Sequence, residues 1–460
     1  MTDSLDITPF CSPLSSSVNL PGSKSITNRA LVIAALCESG NIPILLKGAL
    51  FSRDTYIMIE ALKNLGFEIS ENAEKSSIKI KGLGGSIPSK STSINVGNAG
   101  TAARFLTALL ALQKHGIYEL DGDSQMRNRP MRGILNALEQ LEAARFEFKD
   151  KPYHFPFTMH SLGINAARAK VNAQASSQIL SALLLVLPAS GKNLELECPN
   201  VRTAYVALTE AVKTSFQKEC AADYTNKCIS PFYIRGEGYQ NPINNIFQIE
   251  PDLSSASYFF ALTLLHGGSL MLPGIPEKPV QGDQVFANLL QSHGLKINKK
   301  DTGWLIERSK DVTISGGKVA HDFNLFSDTF LTYAAIAPLI NECTIINGIA
   351  HTRLQETDRM KAMAKELRKL GQTIIEEADS LQIISNPKAL IEMAQIARTK
   401  GELLSIETYE DHRFAMSFGI LGTYDLLKDG RPWLKIKNPN CCSKTFPNFF
   451  KTLSILNSAS

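Results

Sequence analysis

DTYIMIEALKNLGFEI, residues 54–69, decides the fold of this chain. Its apolar residues recur at the i, i+3, i+4 and i+7 spacing of an amphipathic helix, and Gly66 is typical of the position that follows a helix. An apolar–polar alternation begins at Phe67 and predicts a strand. The stretch therefore predicts a helix that passes through a small residue into a β-rich segment.

This helix-to-strand pattern recurs along the chain. Further copies begin at residues 132, 205, 283 and 358, and a sixth helix is predicted to begin at Asp411 after a shorter gap. Additional helices are predicted near the following ranges: 28–37, 100–112, 176–187, 254–265 and 328–340. Each unit therefore reads strand, helix, strand, helix, strand, strand, and the chain holds about six of them. A solenoid is the alternative, but units this long favour compact lobes.

The repeats divide the chain into two α/β domains. The chain has 460 residues, more than one ordinary hydrophobic core requires, and IEPD, residues 249–252, reads as a linker between the halves. We predict one lobe from residues 23–250, with three repeats and phosphate-binding helix N-termini. The second lobe is predicted from residues 1–22 with 251–460, and it holds three repeats, the chain termini and the acid–base residues.

The composition excludes several classes of protein. Apolar residues make up 44% of the chain and charged residues 20%, and no apolar run reaches the roughly 18 residues of a membrane span. The N-terminus lacks the apolar core of a signal peptide, and eight cysteines without a CxxC pair indicate reduced thiols. A net charge of +4 does not favour nucleic acid but suits anionic metabolites. We expect a cytoplasmic monomer without a cofactor.

Three predicted helix starts in the first half suit anions. PGSKSITNR (21–29) opens a helix whose free N–H groups and positive dipole end favour a phosphate or carboxylate, and Lys24 and Arg29 add charge. NAGTAAR (98–104) and SSQ (176–178) follow the same logic. Each alone is more typical of a helix cap, and the GxxxxGK spacing of an ATP-binding loop is absent. Together they indicate an oxyanion-binding face.

The second half contributes acids and cations. QETDR (355–359) places Glu356 and Arg359 one helical turn apart, EDHR (410–413) groups an acid, an imidazole and a guanidinium, and SKTFP (443–447) contains Lys444. Asp328 begins another predicted helix. Each motif alone is typical of a surface ion pair. No His or Cys cluster has metal-ligand spacing, so we expect no catalytic metal.

Seven motifs occur along the chain in this order: PGSKSITNR, NAGTAAR, SSQ, IEPDLSSASYF, QETDR, YEDHRFAM and SKTFP. With these motifs, nearly the whole chain resembles the 5-enolpyruvylshikimate-3-phosphate (EPSP) synthase family. The resemblance implies a two-lobed inside-out α/β barrel with three βαβαββ units in each lobe. It also implies transfer of the enolpyruvyl group of phosphoenolpyruvate to the 5-hydroxyl of shikimate 3-phosphate, on the route to chorismate and aromatic amino acids. A sister family acting on a UDP-linked amino sugar is less similar at QETDR, DHR and SKTFP.

The resemblance further implies roles for individual residues. Phosphoenolpyruvate would be bound by Lys24, Gly100, Arg129, Gln178, Arg359, Arg413 and Lys444. Shikimate 3-phosphate would be bound by Lys24, Ser25, Arg29, Ser176, Ser177, Gln178, Arg202, Tyr205, Asp328, His351 and Gln355. Asp328 is expected to act as base on the 5-hydroxyl and Glu356 to move the C3 proton, with Lys24 assisting. His412 is either a further proton carrier or structural.

Four positions depart from the usual family pattern. Gln125, Arg202, His351 and Gln355 stand where Arg, Ser, Asn and Lys are common. Arg127 or Arg129 can supply the charge missing at the first, and Arg202 can supply phosphate contacts that Gln355 does not make. The stretch 219–245 is an unexplained insertion.

Two alternatives stay open. One is an enolpyruvyl transferase that acts on a different cyclic alcohol, and the other is a catalytically inactive paralogue. Retention of the whole catalytic set argues against the second alternative: Lys24, Asp328, Glu356, Arg359, Arg413 and Lys444.

Overall fold

A computed structural model describes residues 4–199, 201, 203–217, 230–309 and 316–459 of the chain. The chain divides into two compact units. We call Gly22–Glu250 the middle unit, and Met1–Pro21 together with Pro251–Ser460 the terminal unit.

The helices and strands are numbered along the chain. The helices are α1 (Lys24–Leu36), α2 (Arg53–Asn64), α3 (Gly100–Leu110), α4 (Ser124–Asn128), α5 (Arg132–Gln140), α6 (Gln178–Val186), α7 (Thr203–Thr214), α8 (Leu253–His266), α9 (Gln284–Gln291), α10 (Phe330–Ile340), α11 (Arg359–Lys369), α12 (Pro387–Thr399), α13 (His412–Gly422) and α14 (Phe449–Ala459). The strands are β1 (Ser4–Asp6), β2 (Leu14–Ser17), β3 (Ile44–Lys47), β4 (Ile69–Asn72), β5 (Ser77–Ile80), β6 (Ser91–Asn95), β7 (Lys114–Asp121), β8 (Ala144–Phe148), β9 (Phe157–Leu162), β10 (Arg168–Lys170), β11 (Leu194–Glu197), β12 (Phe232–Ile234), β13 (Ile246–Gln248), β14 (Gly268–Pro273), β15 (Lys296–Lys300), β16 (Gly303–Arg308), β17 (Gly316–Asp322), β18 (Asn341–Asn347), β19 (Thr373–Glu376), β20 (Leu381–Ile384), β21 (Leu404–Ile406) and β22 (Leu434–Lys437).

Two stretches of chain form the complete predicted repeat. In the middle unit, β6-α3-β7-α5-β8-β9 folds into a sheet of order β6-β7-β9-β8. Strands β6 and β7 are parallel and joined through α3, whereas β9 pairs antiparallel with both β7 and β8. In the terminal unit, β17-α10-β18-α11-β19-β20 repeats the arrangement. The predicted βαβαββ unit is therefore confirmed.

Other sheets are completed by strands distant in sequence. The sheet β13-β3-β5-β4 takes its parallel edge strand β13 from the end of the middle unit. The sheet β15-β16-β14-β2 takes β2 from the N-terminal segment, and β1 pairs with β22. The remaining sheet is β10-β11-β12. Strand pairing thus places both ends of the chain in the terminal unit.

The centre of each unit is a group of helices. In the middle unit, α1, α3 and α6 pack against one another, and α8, α10 and α13 do the same in the terminal unit. Almost every residue of these helices is buried, whereas strands such as β7 alternate buried and exposed residues. Helices inside and half-exposed sheets outside give each unit the inside-out arrangement.

The predicted sixth copy of the repeat helix was of the wrong type. The sequence placed an amphipathic helix at Asp411, but α13 begins at His412 and is buried on all sides. The amphipathic helix of that repeat is α14, which buries Phe449, Leu453 and Leu456. The gap before Asp411 is short because α13 is the first helix of its repeat, and the unpredicted helix α12 lies ahead of that repeat.

Candidate active site

The side chain of Arg359 is the centre of a buried charge cluster in the terminal unit. It is the first residue of α11, and Asp358 caps that helix by accepting a hydrogen bond from the Lys361 N–H at 3.0 Å. Its Nε donates to Asp411 Oδ2 at 2.7 Å and its Nη2 to Asp411 Oδ1 at 3.3 Å. The same guanidinium donates to Glu356 Oε2 at 3.0 Å and to Asp328 Oδ1 at 3.1 Å.

Two further cations complete this cluster. Arg413 Nη2 lies 2.7 Å from Asp328 Oδ2, and Lys444 Nζ lies 2.9 Å from Glu356 Oε1. The three cationic side chains are at most 7% exposed and Asp411 is fully buried, whereas Asp328 is 19% exposed. Three cations therefore face three carboxylates, of which Asp328 is the most accessible.

The energetics of Arg359 follow from these contacts. Burial alone would lower the pKa of its guanidinium, but the carboxylates of Asp411, Glu356 and Asp328 outweigh burial and raise the pKa above its ordinary value. A buried charge is costly unless it is paired and hydrogen-bonded, so the guanidinium has to keep these contacts. The contacts therefore hold together the N-terminal ends of α10, α11 and α13.

Two of the predicted departures lie beside this cluster. The Gln355 side chain accepts a hydrogen bond from Arg359 Nη1, and His351 Nε2 lies 2.7 Å from the hydroxyl of Ser327. Gln355 therefore contacts the cluster itself, whereas His351 contacts Ser327, the residue directly before Asp328. His412 is buried next to Asp411, with Nδ1 3.5 Å from Oδ1 of that carboxylate.

The middle unit has its own cationic group, beginning at the start of α1. Ser23 caps this helix, and Lys24 is its first residue. Lys24 Nζ lies 3.3 Å from Oδ2 of Asp54, whose side chain is only 3% exposed. A cation in the first turn of a helix is disfavoured by the helix dipole. Arg359 and Arg413 share this placement, so three predicted ligands of anionic substrates violate the same local rule.

Arg29 is buried among protein acceptors. Its Nε donates to the Thr209 hydroxyl at 2.9 Å, and its Nη2 contacts the Ser181 hydroxyl at 3.2 Å and the Tyr205 carbonyl at 3.3 Å. Burial lowers the pKa of Arg29 to about 10. These bonds join α1 to α6 and α7, and the Nη1 atom also donates to the Ser25 carbonyl.

The starts of α3 and α6 are linked. Gln178 Nε2 donates to the Thr101 hydroxyl at 3.2 Å, and the Gln178 backbone N–H donates to the Ser176 hydroxyl at 3.3 Å. Ser177 is the buried residue that immediately precedes α6. Together with the Arg29 bonds, this link brings the N-terminal ends of α1, α3 and α6 to one end of the middle unit, where their dipoles favour an anion.

Arg129 lies against Gly100 at the start of α3. A Cβ atom added at Gly100 would approach Arg129 Nη2 to 2.6 Å, so the absence of a side chain makes room for the guanidinium. Arg129 Nη1 also donates to Asn98 Oδ1 at 3.2 Å. In contrast, Arg127 is 46% exposed and paired with Asp121 at 2.6 Å. Arg129 thus lies next to Gly100, while Gln125 accepts a hydrogen bond from Asn98. That Arg129 supplies the charge absent at Gln125 stays a prediction.

Arg202 lies outside the described residues, as does part of the 219–245 stretch, of which 230–245 are described. The proposed exchange of phosphate contacts between Arg202 and Gln355 stays a prediction.

Sequence reasoning assigned no partner to three carboxylates of these clusters. Asp54, which pairs with Lys24, was visible only as the first residue of a helix pattern, whereas Asp411, which pairs with Arg359, was also part of the EDHR motif. Asp283, the residue before α9, is buried, and burial raises the pKa of its carboxyl to about 7, with a further contribution from Asp328. A carboxylate at the start of a predicted helix was the available signal for all three.

The described residues contain neither a metal-binding cluster nor a membrane-spanning helix. No group of three or more His, Cys, Asp or Glu side chains in the described ranges is placed to hold a metal ion. No helix among the described residues has the length and apolar character needed to cross a membrane.

Comparisons with known proteins agree with one another. The family model described as EPSP synthase (3-phosphoshikimate 1-carboxyvinyltransferase) matches residues 10–453. Proteins named 3-phosphoshikimate 1-carboxyvinyltransferase from Opitutus terrae and Nostoc punctiforme are 42% and 36% identical to this chain. The first alignment covers 99% of this chain and 98% of the relative, and the second covers 97% and 98%. A solved EPSP synthase from Acinetobacter baumannii has a TM-score of 0.74 at 20% identity, covering 98% of this chain and 97% of that one, which confirms the fold class.

The Asp411–Arg359 pair generates a stability prediction. Asp411→Asn should lower the free energy of unfolding of the terminal unit by about 3 kcal/mol. This is the low end of the cost of breaking a buried ion pair, because Glu356 and Asp328 still face the guanidinium. The midpoint of urea denaturation measures the change. Asp429→Asn is the control, since Asp429 pairs with Arg398 and Arg431 at the surface and should change the midpoint far less. Equal shifts in the two variants would contradict the prediction.

Proposed function

Because this chain belongs to the EPSP synthase family of 3-phosphoshikimate 1-carboxyvinyltransferases, we propose that it transfers the enolpyruvyl group of phosphoenolpyruvate to the 5-hydroxyl of shikimate 3-phosphate. The products are 5-enolpyruvylshikimate 3-phosphate and inorganic phosphate. This reaction belongs to the shikimate route to chorismate and the aromatic amino acids.

The observation that carries the site assignment is the cluster of Arg359, Arg413 and Lys444. Their charges are held by Asp328, Glu356 and Asp411, so the cluster contains cations in a buried setting without a large net charge. A phosphate or carboxylate that enters can exchange with Asp328 or Glu356 as partner of these cations. The two carboxylates released in this way are the ones to which proton transfer is assigned.

The assigned chemistry has two steps. In the first, Asp328 accepts the proton of the substrate 5-hydroxyl while the oxygen of that hydroxyl bonds to C2 of phosphoenolpyruvate. At the same time C3 receives a proton from Glu356. In the second, the bond between C2 and the phosphate oxygen of the tetrahedral ketal breaks, the leaving phosphate takes the proton held by Asp328, and C3 returns a proton to Glu356. Lys444 and Arg359, at 2.9 and 3.0 Å from the Glu356 oxygens, stabilise the carboxylate after it has given up its proton.

The middle unit is assigned the remaining contacts with phosphoenolpyruvate and part of those with shikimate 3-phosphate. The N-terminal ends of α1, α3 and α6 contribute N–H groups, and Lys24 and Arg129 contribute charge. The residues assigned to phosphoenolpyruvate here are Lys24, Gly100, Arg129 and Gln178, and those assigned to shikimate 3-phosphate are Lys24, Ser25, Arg29, Ser176, Ser177, Gln178 and Tyr205. Arg29 supports the site through its bonds to α6 and α7, and direct substrate contact by it requires an exchange of partners.

The terminal unit is assigned three further contacts with shikimate 3-phosphate, from Asp328, His351 and Gln355. Neither a different cyclic alcohol acceptor nor a catalytically inactive paralogue finds support in the names of the relatives. A cytoplasmic location and a monomeric state stay predictions.

Phosphate release tests the function directly. Purified protein incubated with phosphoenolpyruvate and shikimate 3-phosphate should release inorganic phosphate, and omission of either substrate should abolish the release. The reaction should proceed with neither nucleotide nor added metal. Phosphate release that requires ATP, or none at all with both substrates present, would contradict the proposal.

Substitution of Glu356 tests its role in moving the C3 proton. Glu356→Gln should lower kcat by about 10²-fold or more, the usual loss for a general acid or base, with a smaller change in the Kd of shikimate 3-phosphate. Steady-state kinetics and calorimetry separate these quantities. Glu376→Gln is the matched control, because Glu376 also pairs with an arginine of the terminal unit, Arg353. A Glu356→Gln enzyme with normal kcat would exclude the role.

Gly100 offers a test of the Arg129 assignment. Gly100→Ala should displace the Arg129 guanidinium and raise the KM for phosphoenolpyruvate about tenfold, the effect of losing one charge-assisted hydrogen bond. The KM for shikimate 3-phosphate should change less. Gly317→Ala is the control, since a Cβ atom there meets nothing within 4 Å. Unchanged kinetics in Gly100→Ala would remove Arg129 from the assigned ligands.

A further inference from the structure

Glu366 is a buried carboxylate that the reaction described above does not use. It lies on α11 and its side chain is fully buried. Seven residues, about two helical turns, separate it from Arg359, so both side chains project from the same face of the helix. Arg359 and Glu366 therefore reach from α11 towards the same neighbouring segment.

That segment is the turn that leads into α13. Glu366 Oε2 accepts the backbone N–H of Glu407 at 3.2 Å, and Glu366 Oε1 accepts the hydroxyl of Tyr409. Two residues further on, Asp411 binds Arg359 at 2.7 Å. The helix α11 thus holds residues 407–411 at two separate points.

Between these two points the backbone is strained. Tyr409 has φ +55° and Glu410 has φ +56°, the left-handed conformation that residues with a Cβ atom rarely adopt. Two such residues in succession persist only where the surrounding contacts hold them. The Tyr409 ring also packs edge-on against Phe414, with centroids 5.5 Å apart.

The turn determines the positions of two site residues, Asp411 and Arg413. Asp411 directly follows Glu410, and its Oδ1 atom accepts the Arg413 N–H at 3.0 Å. A relaxed turn would rotate the start of α13, and both the Asp411–Arg359 and the Arg413–Asp328 contacts depend on that direction.

We propose that Glu366 is a positioning residue for this reaction: by holding the left-handed turn at Tyr409 and Glu410, it aligns Asp411 with Arg359 and Arg413 with the anionic substrate. The inference rests on the proposed function, since the anion in question is phosphoenolpyruvate. Glu366 itself contacts no reacting atom in this scheme.

Three single variants separate positioning from general stability. Glu366→Gln removes the charge and keeps the volume, and Tyr409→Phe removes only the hydroxyl that binds Glu366. Both should raise the KM for phosphoenolpyruvate by about tenfold to a hundredfold, the scale of a small misplacement of a binding group, and change the Kd of shikimate 3-phosphate less. Lys369→Gln is the control. Lys369 pairs with Glu366 at 2.7 Å and is 40% exposed, and its loss leaves the Glu366 bonds to Glu407 and Tyr409 in place, so the KM should stay near wild type.

A rescue experiment makes the test specific. Glycine adopts a positive φ without strain, so Glu410→Gly should let the turn keep its shape without Glu366. The Glu366→Gln, Glu410→Gly double variant should therefore regain a large part of the lost affinity for phosphoenolpyruvate. If Glu366 only stabilised the fold, no such recovery would be expected. A double-mutant cycle measures the coupling between Glu366 and Glu410.

The outcomes distinguish the inference from the function on which it rests. A wild-type protein that releases no phosphate from the two substrates contradicts the function. In that case, calorimetric titration still measures the affinity of the Arg359, Arg413 and Lys444 cluster for inorganic phosphate. Glu366→Gln should weaken that binding about tenfold. An active wild-type enzyme with unchanged kinetics in Glu366→Gln and Tyr409→Phe overturns the positioning role, as does additivity of Glu366→Gln and Glu410→Gly.

Discussion

The buried guanidinium of Arg359 binds acceptors that precede three different helices: Asp328 before α10, Gln355 and Glu356 before α11, and Asp411 before α13. A guanidinium can be buried only if its donors are satisfied, because the loss of hydration is otherwise not compensated. Burying Arg359 therefore requires these helix ends to lie together. The two central helices α10 and α13 are in turn packed into the apolar core, so the charge cluster and the core specify the same arrangement.

The two units handle charge in different ways. In the terminal unit each site cation is paired with a carboxylate, so an entering anion has to replace an internal partner. The middle unit relies more on helix ends, with Lys24 against Asp54 and Arg129 over Gly100. Helix N–H groups need no counter-charge, so such a site can stay polar without repelling an anion.

Local rules are broken where the chemistry is assigned. Lys24, Arg359 and Arg413 lie in the first turns of helices, where the dipole disfavours cations, and Tyr409 and Glu410 adopt left-handed conformations. Such exceptions also occur elsewhere in the chain: Asn244 and Asn245 are left-handed, and Arg53 and Arg132 begin helices. At the site, the ion pairs and hydrogen bonds of the clusters compensate for them.

The sequence by itself determined the repeat, the family and the motifs of the site, and the comparisons confirm the family and its reaction. These features are local: helical periodicity, glycines after helices and short motifs such as QETDR are all read within a few residues. The sixth repeat was misread because α13 and an amphipathic helix begin with similar signals, and only burial against α10 distinguishes them.

Partnerships between distant residues were decided by the tertiary structure. The sequence left Arg127 and Arg129 equivalent, and the fold separates them by placing Asp121 beside the first and Gly100 beside the second. The family resemblance implies that Arg29 binds substrate, yet Thr209, 180 residues away, accepts its Nε hydrogen bond. An ion pair or hydrogen bond depends on distances of a few ångströms, and for residues far apart in sequence the packing of the helices sets those distances.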